Sequence, residues 1–251
     1  MKSVDLNCDM GESFGAWKMG NDAEVMDHIS SANIACGFHA GDATTMRETA
    51  ELAFAKGIAI GAHPSYPDLQ GFGRRAMALT AEEIFDIVLY QVSALKGICE
   101  SLGGRLSHVK PHGALYNQAA KDANIARAIA RAVQKCDESL ILFGLSKSLS
   151  IAEAEKLGLK TASEVFADRT YQPDGSLTPR SQPNALICDQ DQAIEQVIQM
   201  VESQTTTAVD GSTVGLKADT ICIHGDGPNA LEFAAAINEA LTAAGVSIHP
   251  V

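Results

Sequence analysis

Side chains capable of acid–base or metal chemistry gather in a few short motifs of the sequence. The first, Asn7-Cys8-Asp9-Met10-Gly11-Glu12, puts two carboxylates close together, and in an extended chain Asn7 and Asp9 point the same way. Such a pair could bind a metal, act as acid and base, or cap a following helix. The stretches from Cys36 through His39 to Asp42 and from His63 through Ser65 to Asp68 each add one imidazole and one carboxylate, with Asp42 reading as an N-cap. Lys110-Pro111-His112 sets an ammonium and an imidazole on one face of an extended chain. Glu164, then Asp168-Arg169, and finally His224-Gly225-Asp226-Gly227-Pro228 complete the set. The last motif resembles an anion pocket, because glycines admit a ligand to the backbone and free N–H groups open the next helix; Asp226 could instead cap that helix.

The elements that must position these groups follow from the alternation of short apolar, β-branched runs with longer stretches of helical period, the pattern of repeated βα units. Strands are expected at 4–7, 33–36, 58–62, 107–110, 140–143, 160–165 and 220–224, with one more at 246–249. Helices are expected near 23–30, 44–56, 81–102, 124–134, 149–157, 192–202 and 229–243, with Thr80 and Glu83 forming a capping box and Gly57, Gly103 and Gly245 as C-terminal caps. The breaker-rich segment 169–183 reads as a long active-site loop, and 203–210 as a polar connection before a short hairpin.

Almost every chemically capable cluster therefore lies just after a strand and before a helix, and in a parallel barrel such positions meet on one face. His39, His63, His112 and His224 occupy that rim, whereas His28 and His249 lie elsewhere and His108 falls inside the fourth strand. Arg74, Arg75, Arg169 and Arg180 lie in loops where guanidinium groups could clamp a carboxylate or phosphate. A single-domain α/β barrel over 1–251 is the expected fold.

Composition narrows the partners. A net charge of −12 argues against nucleic acid or an anionic membrane, both of which reward clustered Lys and Arg. With no signal peptide or membrane-length apolar run, a cytoplasmic location is expected. Six dispersed cysteines read as reduced thiols, Cys8, Cys36 and Cys222 lying inside polar motifs. The phosphate loop, dinucleotide fingerprint, H-E-x-x-H and G-x-S-x-G motifs are all absent, which disfavours the usual ATPases, dehydrogenases and serine hydrolases.

The motifs 5–12, 33–42, 61–68, 109–117 and 223–228, in this order and across essentially the whole chain, resemble the LamB/YcsF family. The resemblance implies a TIM-like (β/α) barrel of the glycoside hydrolase and deacetylase type, in a seven-stranded variant. It implies ATP-dependent opening of the lactam of 5-oxo-L-proline to L-glutamate, with magnesium-ATP as co-substrate of a complex and 5-oxoprolinase subunits B and C as partners. On that reading Asp9, with His63 or His112, serves as general base and acid; Lys110 and Arg169 stabilise negative charge or hold the substrate carboxylate. Asn7, Glu12, His39, His224 and Asp226 contact substrate or phosphate. A protein-bound divalent metal stays open: Asp9, His39 and His63 could imitate the aspartate and histidines of related deacetylase barrels, but the usual H-x-x-x-H spacing is missing. Two rival readings stay open beside it, an autonomous metal-dependent amide hydrolase or carbohydrate deacetylase and a non-catalytic regulatory protein that binds a small carboxylate; homo-oligomerisation is likewise open.

Overall fold

The strand-forming runs assemble in a computed structural model that describes residues 2–223 and 230–251. Parallel strands β1 (Ser3–Met10), β2 (Ser31–Ala35), β3 (Ala59–His63), β4 (His108–Val109), β5 (Ile141–Leu145), β6 (Lys160–Phe166) and β9 (Thr220–Ile223) pair in that order, and β9 returns to β1. The result is a closed seven-stranded barrel, so no barrel strand is left with an open edge. The expected last strand exists as β10 (Ser247–Ile248), outside the ring, where it pairs with the start of β1 through Ser3 and Val4. The expected hairpin forms from β7 (Thr205–Thr207) and β8 (Thr213–Gly215).

Helices cover the barrel: α1 (Asp22–Val25) with a 3-10 turn (Met26–His28), α2 (Ala43–Ala55), α3 (Ala81–Ser101), α4 (Gly113–Ala119), α5 (Ala123–Cys136), α6 (Leu149–Lys156), α7 (Gln190–Ser203) and α8 (Ala230–Ala243). Their starts are capped as the side-chain chemistry dictates. Asp42 accepts from the amides of Thr44 and Thr45, and Thr80 and Glu83 form a reciprocal box. Two local expectations are corrected. Residues 23–30 make only one helical turn and a 3-10 turn, and α4 arises where a strand-end loop was expected, its apolar Ala114, Leu115 and Ala119 buried.

Along β1 the side chains alternate between two environments. Leu6, Cys8 and Met10 join the apolar core, whereas Asp5, Asn7 and Asp9 enter the polar hydrogen-bond network inside the barrel. The hydrophobic effect thus closes the helical layer around a barrel whose interior is unusually polar. Among the described residues, no helix is long and apolar enough to cross a membrane.

Candidate active site

The polar interior is built by register. Asn33 on β2 aligns with Asp9 on β1 and Gly61 on β3, and Gly61 in turn with His108 on β4. A β-carbon at Gly61 would lie 2.0 Å from His108 Nε2, so the glycine leaves the space in which that imidazole reaches Asn33 Oδ1 at 2.8 Å. Asn33 Nδ2 then donates to Asn7 Oδ1 at 2.7 Å and to Asp9 Oδ1 at 2.9 Å. Asn7 Nδ2 donates onward to Glu164 Oε1 and Thr220 Oγ1, at 3.1 and 2.7 Å. His108, buried and stacked on Phe143 at 4.1 Å, is held down at about 3 by burial and then by the neighbouring Lys110 and His63.

Lys110 directly follows the fourth strand and stands at the centre of this network. Its Nζ lies 2.8 Å from Asp9 Oδ1, 2.9 Å from Glu164 Oε1, 2.9 Å from Cys222 Sγ and 3.2 Å from Asn7 Oδ1. Burial alone would pull its pKa down, but Asp9 and the other negative groups outweigh it, and the ammonium is held well above its ordinary range. The paired geometry keeps two buried carboxylates compatible with a low-dielectric interior.

Above the network the imidazoles converge. His63 Nε2 lies 3.2 Å from Asp9 Oδ2, and His63 Nδ1 bonds the Lys110 carbonyl at 2.7 Å. His112 Nδ1 faces His63 Nε2 at 2.9 Å, while its Nε2 bonds the Phe72 carbonyl at 2.9 Å. His39 stacks on His112 at 3.9 Å, with its Nε2 3.4 Å from Glu12 Oε1. The left-handed pair Phe72 and Gly73 aims that carbonyl; a β-carbon at Gly73 would come within 2.8 Å of His39 Cβ and 2.9 Å of His112 Cδ2. Burial, followed by the other imidazoles, depresses His39 and His112 well below the ordinary histidine range. One ligand atom from each of Glu12, His39, His63 and His112 falls within 4.8 Å of the others, and this is the group that could hold a metal ion.

Asp9, His63, Lys110 and His112 sit at the floor of a cavity of about 560 Å³. Its walls include Arg74, Tyr116, Phe166 and, from the loop after β6, Leu177, Thr178 and Arg180. The structure thus gathers eight of the residues singled out in the sequence: Asn7, Asp9, Glu12, His39, His63, Lys110, His112 and Glu164. Arg169 also lines the cavity, but its Nε and Nη2 donate to the carbonyls of Ala185 and Thr178, at 3.1 and 2.6 Å, so it braces its own loop. Arg75 pairs with Asp68 away from the floor. His224 and Asp226 lie outside the described residues.

Sequence reasoning passed over three participants. Asn33 was visible as a strand residue, and its register with Asp9 gives it a role. Cys222, one of the cysteines noted inside polar motifs, is the sulfur against Lys110, and burial pushes its thiol well up, away from the thiolate form a nucleophile needs. Tyr116 reaches the cavity because α4 begins immediately after His112; burial and then Glu164 raise its hydroxyl well above the ordinary range.

Comparison with known proteins places these features in a family context. The model of the LamB/YcsF family matches residues 4–251. The chain is 60% identical over 246 residues to a protein from Bordetella pertussis named as the A subunit of 5-oxoprolinase, covering 98% of each. It is 56% identical over 248 residues to the Bacillus subtilis protein of the same name, covering 99% of this chain and 96% of the relative. The crystal structure of a lactam utilization protein from Thermus thermophilus superposes with a TM-score of 0.94 at 48% identity, covering all of both chains. The catalytic domain of a peptidoglycan N-acetylglucosamine deacetylase from Eubacterium rectale, at 11% identity and a TM-score of 0.53, shares the fold alone.

Proposed function

Because the chain belongs to the LamB/YcsF family, we propose that it is the A subunit of an ATP-dependent 5-oxoprolinase and carries the ring-opening centre. The observation that carries this reading is the convergence of Asp9, Lys110, His63 and His112 on one cavity floor, in a chain whose relatives bear that name. The overall reaction takes 5-oxo-L-proline, ATP and two waters to L-glutamate, ADP and phosphate. Magnesium-ATP is the co-substrate of the complex, subunits B and C are the partners, and the cytoplasm is the compartment.

An unactivated lactam is a poor electrophile, and phosphorylating its carbonyl oxygen turns that oxygen into a leaving group. The absence of a familiar nucleotide loop in this sequence supports giving activation to the partners and water attack to this chain. Asp9 Oδ2 faces the His63 side of the floor while Oδ1 is held by Lys110 and Asn33, an orientation suited to taking the proton from attacking water. The protonated Asp9 then returns that proton to the ring nitrogen as the C–N bond breaks, leaving the γ-carboxyl as an acyl phosphate that the second water hydrolyses to L-glutamate and phosphate. Lys110 places positive charge beside the developing negative charge, and Arg74, Arg169 and Arg180 give the cavity wall the sign that suits a substrate carboxylate. His63 and His112 complete the reacting centre next to Asp9, with Asn7, Glu12 and His39 behind them. The glycine-rich sequence at 224–228 supports giving His224 and Asp226 the phosphate side.

Glutamate formation from 5-oxoproline, measured with the chain alone and with subunits B and C, each with and without ATP, tests the proposal. Strict dependence on ATP and on both partners is expected. Turnover by the chain alone without ATP would make it an autonomous amide hydrolase instead.

A further inference from the structure

The hydrogen bonds of the histidines fix which nitrogens face inward. A backbone carbonyl can only accept, so His63 carries its proton on Nδ1 toward Lys110 O, and His112 carries its proton on Nε2 toward Phe72 O. In the neutral rings, His63 Nε2 and His112 Nδ1 are therefore both lone-pair atoms, yet they face each other at 2.9 Å with no donor between them. Asp9 Oδ2, another acceptor, lies 3.2 Å from the first, and Glu12 Oε1 lies 3.8 Å from the second. His39 adds a third imidazole that is fully buried, and neither of its ring nitrogens makes a hydrogen bond among the described residues. Unpaired buried nitrogens and opposed lone pairs are costly unless something positive sits among them.

We infer that Glu12, His39, His63 and His112 form a binding site for one first-row transition-metal dication of the Zn²⁺ class. Three imidazoles and a carboxylate are borderline donors, which favour such an ion over Mg²⁺ or Ca²⁺ with their all-oxygen preference. Bond lengths of about 2.0–2.2 Å put neighbouring ligand atoms about 3–3.5 Å apart. The separations of 2.9 Å between His63 and His112, 3.4 Å between His39 and Glu12, and 3.8 Å between His112 and Glu12 lie near that spacing, and no two of the four ligand atoms are more than 4.8 Å apart. The two backbone carbonyls behind His63 and His112 are the usual outer support that fixes a ligating tautomer. The site gives His63 and His112 a ligand's duty in place of the proton carrying expected from sequence. Its binding is independent of the ring-opening reading; only its use there, lowering the pKa of water beside Asp9, rests on that reading.

The test is metal binding by the full chain without partners or substrate. Chelator-stripped protein is dialysed against Zn²⁺ and, separately, Co²⁺; metal per chain is measured by atomic emission, and ligand-field bands are recorded for Co²⁺. One equivalent is expected, with affinity at least about 10-fold weaker in His39→Gln and in His112→Gln and unchanged in His108→Gln. Circular dichroism of the stripped forms checks folding, and Glu12→Gln replaces any variant that fails it. No retained metal, or retention and Co²⁺ bands unaltered by these substitutions, overturns the site whether or not the complex makes glutamate.

Discussion

Asp5 and Asp9 stand on the same strand and point into the same barrel, yet their surroundings differ in kind. Asp5 is closed in by hydroxyl donors: Ser30 and Ser31 bond Oδ1 at 2.6 Å each, and Thr220 bonds Oδ2. Burial keeps its carboxyl raised although those three hydroxyls oppose it, and nothing at that depth faces the cavity. Asp9 opens on the cavity instead, with one oxygen tied to Lys110 and Asn33 and the other turned to the His63 imidazole. The lesson is one of donor supply. Where the barrel's polar interior is matched donor to acceptor it serves as packing, and where acceptors exceed donors it is poised for a proton or a cation.

Substitutions at the two levels sharpen that contrast. The largest stability effect is expected at Lys110, because Lys110→Met strands the carboxylates of Asp9 and Glu164 in a buried setting; breaking a buried pair this way costs roughly 3–5 kcal/mol in denaturant unfolding. An unchanged unfolding midpoint would show that the network is far better hydrated than its burial indicates. Asp5→Ala removes the acceptor of three hydroxyls and is expected to lower stability by about 1–3 kcal/mol while leaving the activity of the folded fraction within about twofold. Loss of activity in the stable fraction would erase the division between the two levels.

The effect at His108, between the two levels, is absent near neutral pH and develops only on acidification. Its folded value of about 3 lies below its ordinary 6.5, so the unfolded chain binds the proton first as pH falls. The stability present above pH 6.5 is lost progressively as pH drops toward 3, by up to about 1.4 kcal/mol per pH unit from this group. Urea unfolding of the wild type and His108→Gln across that window should show the wild type losing stability faster; parallel curves would mean His108 takes up its proton in the folded state.

How much of this was legible in the sequence depended on the range of the interaction involved. Alternation along β1 announced that Asn7 and Asp9 share a face, and the placement of His39, His63 and His112 after strands announced the rim, because both follow from local periodicity and barrel topology. The convergence of Lys110 with Glu164 and Cys222 was not legible, since it joins β4, β6 and β9 through barrel register and closure. Arg169 was expected as a substrate clamp on its proximity to a strand end, but the fold of its own loop draws two of its nitrogens onto backbone carbonyls. Helix α4 was hidden for a local reason: Lys110-Pro111-His112 reads as extended chain, and Gly113, at a φ of 57°, then opens the helix with Ala114 bonded to the Gly73 carbonyl.

The central claim is that ring opening takes place at Asp9, and the direct measurement is glutamate release by the complete complex carrying Asp9→Asn in this chain. The substitution keeps the side chain's shape and removes the base, so the account predicts a folded chain that assembles with its partners and a loss of glutamate formation of at least about 10³-fold, beyond the general-base contribution alone because Lys110 loses its partner as well. Glutamate release at the wild-type rate would contradict the account and move the chemistry to another group.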